Sequence, residues 1–183
     1  MAELPTNCGP LLWGLARAGI GQKLGLNTKA PDWADWLDQP GASFVTLTKE
    51  GELRGCVGSL EAHRALGIDV RQNALAAAFH DPRFRPLTKL ELDRIKVEVS
   101  VLSAAEAMEF SSKQDALDQL NPGVDGLILQ AKGRRATFLP QVWEQLPTPE
   151  LFVAHLLMKA GLSPGHWDGV KLWRYSVAAF QEP

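Results

Sequence analysis

Hydrophobic and polar positions alternate most cleanly over 95–101, where Ile95, Val97, Val99 and Val101 fall on one side and Lys96, Glu98 and Ser100 on the other. Alternation with period two predicts a strand with one face on a core and the other nearer solvent. Phe44–Thr48 and Leu53–Gly58 read as two more strands, joined by a tight turn at Glu50-Gly51 in which glycine supplies the positive φ. With those two residues central to the turn, Cys56 pairs with Val45 and Arg54 with Leu47, and a one-residue slip would exchange their faces. Helical spacing takes over across 66–81, through Leu66, Val70, Asn73, Ala74, Ala77 and Ala78. His80-Asp81-Pro82 stops that helix, because the residue before proline is driven out of the α region.

The remaining pattern is less regular. Leu11–Leu26 is apolar enough for a helix despite Gly14, Gly19, Gly21 and Gly25, and 27–43 reads as a connector. Within it, 32–37 is expected to form a helical turn with Trp33 and Leu37 on one side. Lys113–Leu120 predicts a short polar helix, and Gly126–Ala131 with Arg135–Leu139 a hairpin joined through Lys132-Gly133-Arg134. Pro140–Leu146 predicts another short helix. Thr148-Pro149-Glu150 carries an N-cap hydroxyl, a proline and an early acid, so a helix is expected from there to Ala160, with Gly161 as its stop. Val170–Phe180 reads as one final strand. Strands and helices mix without a βαβ repeat, which predicts an α+β fold with an antiparallel sheet.

Composition narrows the function classes. The chain has 183 residues, suits a single domain, and carries a net charge of −2. That balance disfavours nucleic-acid binding, whose affinity comes largely from a basic footprint; the cluster of Lys132, Arg134 and Arg135 reads as a solvated turn. No apolar run approaches the ~20 residues of a membrane span, and the N-terminus does not read as a signal peptide. Two isolated cysteines, Cys8 and Cys56, fit free thiols in a reducing cytoplasm better than a disulfide framework.

Candidate chemistry centres on Leu53-Arg54-Gly55-Cys56-Val57-Gly58. Glycines at 55 and 58 leave the backbone open to close approach by a ligand. Cys56 has two readings: a small buried hydrophobe, or a nucleophile with Arg54 as the cation that activates it. His80-Asp81-Pro82-Arg83-Phe84 also has two. It is a helix stop with a pinned loop, or a site in which His80 acts as acid or base, Arg83 clamps an anion and Asp81 orients either. His63 falls in a loop after the Cys56 strand, His155 mid-helix and His166 before Trp167. Cys56, His63 and His80 match no recognised ligand spacing, so no metal is expected, and no cofactor motif is present. Phosphate-loop, dinucleotide, G-x-S-x-G and H-E-x-x-H motifs are absent from the sequence.

Phe44-Val45-Thr46-Leu47 followed by Leu53-Arg54-Gly55-Cys56-Val57-Gly58-Ser59-Leu60 closely resembles the signature of the AMMECR domain family, also called protein A of the AmmeMemoRadiSam system. The likeness continues in order through Asp69-Val70, Asn73-Ala74, Asp81-Pro82-Arg83-Phe84, Pro86-Leu87 and Glu98–Leu102. It reaches Gly126–Leu129, Thr137–Trp143 and Lys159-Ala160-Gly161, departing from the usual pattern at Val57, where isoleucine is common. The resemblance implies one AMMECR-type domain over 1–183 with a two-lobed α+β fold, a larger lobe with an antiparallel sheet and a smaller mixed lobe. It implies Memo-like and radical SAM proteins as partners; an unidentified small-molecule ligand and a second copy of the chain, as a homodimer, are further candidates. It supplies no established reaction, but it carries importance onto Arg54, Gly55, Cys56 and Gly58, and onto Asp81, Pro82 and Arg83, with His80 outside the motif. The expected machinery is Cys56, Arg54 and Asp81 for catalysis, with Gly55, Gly58, Arg83 and His80 around a substrate. The alternative is a non-catalytic adaptor or ligand carrier.

Overall fold

Proline near a helix start forfeits no hydrogen bond, and Pro10 accordingly opens α1 (Gly9–Lys23) just ahead of its apolar run. The computed structural model describes residues 4–183. Gly25 follows the helix in the left-handed region, with φ 74°. A 3-10 turn at Asp35–Asp38 leads into β1 (Pro40–Lys49), so the expected connector turns to strand already at Pro40 rather than at Phe44. Trp33 and Leu37 do not share a side. Ala34 is extended, Leu37 is fully buried, and Trp33 stays exposed with its Nε1–H donated to Asp38 at 3.0 Å.

Strand β2 (Glu52–Gly58) returns antiparallel to β1, and β3 (Arg64–Ala65) pairs with the start of β1. Helix α2 (Leu66–Phe79) ends at His80, whose φ of −130° leaves the helical region. Thr88 and Glu91 form a capping box for a 3-10 helix at Lys89–Arg94, and β4 (Ile95–Leu102) follows. Beyond it come β5 (Glu106–Ala107), α3 (Lys113–Asp118), β6 (Gly126–Ala131), β7 (Arg134–Phe138), α4 (Pro149–Lys159), β8 (Lys171–Tyr175) and β9 (Val177–Gln181).

The chain divides into two compact units, one formed by residues up to Leu102 with Ala178–Pro183, the other by Ser103–Val177. In the first, strands run in the order β2-β1-β4-β9 with β3 beside β1. Leu12, Leu15 and Ile20 of α1 and Val70, Ala74 and Ala77 of α2 share a core with Val45, Leu47, Val97 and Val99 of the sheet. Every second residue of β1 and β4 therefore faces the helices, and Phe44, Thr46, Thr48, Lys96, Glu98 and Ser100 face the other way.

In the second unit the order is β5-β8-β6-β7. Its core includes Leu127, Leu129, Phe152, Leu156 and Trp143, whose ring stacks on Phe152 at 3.8 Å. The β6–β7 turn is Lys132-Gly133 alone, both with positive φ, and Arg134 is already paired with Ala131 rather than part of the turn. Thr148 caps α4 as expected, accepting the Leu151 N–H, and Gly161 follows with φ 74°.

The stretch 170–180, which reads as one strand, divides into β8 and β9 in different sheets. Ser176 marks the break, giving its N–H to Ser103 Oγ and its carbonyl to the Ser103 N–H, each at 2.9 Å. The architecture is α+β, with antiparallel sheets flanked by helices. No helix among the described residues is long and apolar enough to cross a membrane.

Candidate functional site

The β1–β2 hairpin sets the direction of every side chain in the signature. Glu50 and Gly51 both take positive φ, 54° and 85°, so the two-residue turn forms where expected and pairs Lys49 with Glu52 and Thr48 with Leu53. Arg54 then bulges: Leu47 pairs with Gly55, Thr46 with Cys56, Val45 with Val57 and Phe44 with Gly58. The expected pairings of Cys56 with Val45 and of Arg54 with Leu47 are thus corrected by one residue. Gly55 and Val57 face the helices, while Cys56 and Gly58 lie on the opposite face. Cys56 is a half-buried free thiol there, accepting a hydrogen bond from Thr46 Oγ1 at 3.4 Å.

Both signature glycines meet protein rather than open space, contrary to the expectation of a backbone bared for a ligand. A Cβ on Gly55 would lie 2.2 Å from the Ala77 carbonyl oxygen of α2. A Cβ on Gly58 would come equally close, 2.2 Å, to the Phe44 ring across the strand pair. Close approach is the reason for glycine at each, of a helix backbone in one case and an aromatic ring in the other.

The segment after α2 closes the outer edge of β2. Cys56 donates its N–H to Asp81 at 2.9 Å, and Arg83 Nη2 donates to the Cys56 carbonyl at 3.3 Å. Arg83 also grips the Asp81 carboxylate at 3.0 and 2.7 Å. Asp81 is 3% exposed, just under the surface and covered by a guanidinium that is itself half exposed. The Arg83 hydrogen bonds hold its carboxyl well below the usual range, helped by the Cys56 and Arg83 N–H groups and opposed by desolvation.

Arg54, expected to activate the thiol, is engaged elsewhere. It reaches both Glu91 oxygens at 3.1 and 3.2 Å and the Arg85 carbonyl at 2.9 Å. Glu91, bound also by Lys49 and by Thr88, is pulled down to about 2, with Arg54 the largest cause. The guanidinium that reaches Cys56 is that of Arg83, and the Phe84 ring lies 5.5 Å from Arg83 and 5.9 Å from Arg54.

The histidines stand apart from these hydrogen bonds. His80 caps α2 through its backbone N–H to Ala76, and His63 is exposed beside Glu61. No group of three or more His, Cys, Asp or Glu able to hold a metal occurs among the described residues. An open depression of about 470 Å³ lies between α1 and the 28–32 loop, lined by Trp13, Arg17, Lys29 and Pro31 among others; no signature residue borders it.

A second cluster, built on the Asp69 and Asn73 of the family likeness, was not among the expected site residues. Asp69, 1% exposed, accepts the Ser43 N–H and hydroxyl at 2.8 and 2.7 Å, Asn73 at 2.9 Å, and Ser59 and Arg64 at 2.7 Å each. It ties α2 to β1 and to the residue that leaves β2. Its signal in the sequence is Asp69 four before Asn73, two polar groups on the helix stripe that faces the core.

The chain as a whole is similar to known proteins. The sequence model of the AMMECR1 family matches residues 14–180. A protein of Methanothermobacter thermautotrophicus is 37% identical over 99% of this chain and 97% of its own, and one of Methanocaldococcus jannaschii is 39% identical over 76% and 72%. The crystal structure of the uncharacterized protein PH0010 from Pyrococcus horikoshii is similar with a TM-score of 0.81 at 30% identity, covering 99% of this chain and 94% of that one.

Proposed function

The chain belongs to the AMMECR1 family, and on that premise we propose that it is a cytoplasmic enzyme, or a subunit of one, acting at the Leu53–Gly58 strand. Its work is on a small molecule or in a covalent modification, alongside the Memo-like and radical SAM partners that the likeness to the AmmeMemoRadiSam system implies. One observation carries this reading: a half-buried thiol on a strand fixed along both edges, by β1 on one side and by Asp81 and Arg83 on the other. A reacting group on a rigid element is pre-organised, and pre-organisation is where a protein gains most of its rate.

Cys56→Ser and Cys56→Ala are expected to fold like the wild type and to abolish labelling at position 56 by a thiol reagent at neutral pH, read by peptide mass spectrometry. A Cys56 that stays inert in the folded wild type would sink the nucleophile reading.

The adaptor alternative rests on the fact that Arg54, Asp81, Arg83 and both glycines all contact protein, which makes the signature a stiff surface. Leu53, 42% exposed, is the side chain such a surface would offer. Capture of a Memo-like or radical SAM protein that survives Cys56→Ala and fails in Leu53→Asp favours the adaptor.

A further inference from the structure

We propose that the depression between α1 and the 28–32 loop binds a free α-amino acid with a large apolar side chain, at a site independent of Cys56 and its strand. Close packing holds its walls. The loop lies along one stripe of α1, where glycines let it approach. A Cβ on Gly14 would lie 3.3 Å from the Pro31 ring, and one on Gly21 only 2.5 Å from Thr28 Oγ1. Thr28 Oγ1 donates to the Ala18 carbonyl at 3.2 Å, and Gln22 Nε2 donates to the Thr28 carbonyl at 3.1 Å. The loop is thus pinned at Thr28 and at Pro31, and the space of about 470 Å³ beside it has a size usual for small-molecule sites.

The lining sorts into apolar surface and two charges. Pro10, Pro31 and the half-buried Trp13 supply the apolar part, a wall against which a ligand's side chain can be laid. Arg17 also borders the space, but its guanidinium is taken up by both Glu182 oxygens and by the Leu92 and Ile95 carbonyls. Lys29 and Asp32 remain. They carry opposite charges, both are exposed and both line the space, yet neither makes an ion pair with the other or with any other described residue.

That pair selects the ligand by charge complementarity. A ligand with a carboxylate alone would meet Asp32, and one with an ammonium alone would meet Lys29, each a repulsion. A zwitterion satisfies both, its carboxylate toward Lys29 and its ammonium toward Asp32. In an α-amino acid the two charges are borne by one carbon, which leaves the side chain to lie on Trp13 and the prolines.

Isothermal titration calorimetry of the whole chain with L-phenylalanine, L-leucine and L-methionine tests the site. Saturable binding is expected for at least one of them. Its N-acetyl derivative and its amide, each missing one charge, should bind about fivefold more weakly, the upper end for an ion pair open to solvent. Lys29→Gln should erase the advantage over the amide, and Asp32→Asn the advantage over the N-acetyl derivative. Both side chains are exposed, so both variants keep the fold, which circular dichroism checks. Absence of saturable binding by all three amino acids overturns the site. Derivatives that bind as tightly as the amino acid, or binding that neither substitution changes, overturn it as well.

Discussion

Cys56 donates its backbone N–H to the Asp81 carboxylate at 2.9 Å, so an edge strand that would otherwise bare its hydrogen-bonding groups is closed at that residue. Arg83 completes the closure from the carbonyl side. The conjunction of the signature strand with the Asp81–Arg83 motif is therefore a matter of construction: one holds the other in place.

Removing that carboxylate separates its two duties. Asp81→Ala strands the Cys56 N–H and the Arg83 charge and should cost about 2–4 kcal/mol. Asp81→Asn keeps an acceptor for the N–H and should cost less. Urea denaturation measures both, and equal losses would refute the anchoring role of the N–H bond.

Acid should unfold the first unit through the same groups. Asp81 and Glu91 both have carboxyls lowered on folding, so their contribution is complete above the unfolded values and is lost as pH falls. For Glu91 the loss spans pH 4.5 down to about 2. Glu91→Gln should melt lower than the wild type at neutral pH and lose less on acidification through that window, followed by circular dichroism.

The two glycines should respond differently to the same methyl group. Gly55→Ala meets a helix backbone carbonyl that cannot step aside and should cost about 3 kcal/mol or more. Gly58→Ala meets the base of the Phe44 ring, which has to turn away as a whole, so the loss should be about 1–3 kcal/mol, and Phe44→Leu should relieve part of it. A double-mutant cycle in thermal denaturation tests the coupling, and strictly additive losses would contradict it.

Asp69→Ala leaves two serines, an asparagine and an arginine without their common acceptor, and should destabilise by about 3–5 kcal/mol. Asp69→Asn, with one acceptor left, should fall between the variant and the wild type in guanidinium denaturation.

Much of this was readable from local pattern. The alternation at Ile95–Val101, the Glu50-Gly51 turn and the Thr148-Pro149 helix start depend on neighbours in sequence, and each formed where read. The Arg54 bulge carries no such mark, since arginine has no preference for bulges; its partners, Arg85 and Glu91, lie more than thirty positions away. That one unread residue turned Cys56 from the core face to the other. The break at Ser176 is equally non-local, made by Ser103 on a remote part of the chain. Gly55 and Gly58 were rightly picked out as close-contact positions, but what they contact is the protein itself.

Ser103 and Ser176 also bracket an order of events. Everything from Ser103 to Ser176 is inserted between β4 and β9, which are neighbours in one sheet. During synthesis the hairpin that carries Cys56 leaves the ribosome before the second unit, whereas β9 and Glu182, which Arg17 grips at 2.6 Å, leave after it. The first unit must wait, with a strand missing, until the whole of the second has been made.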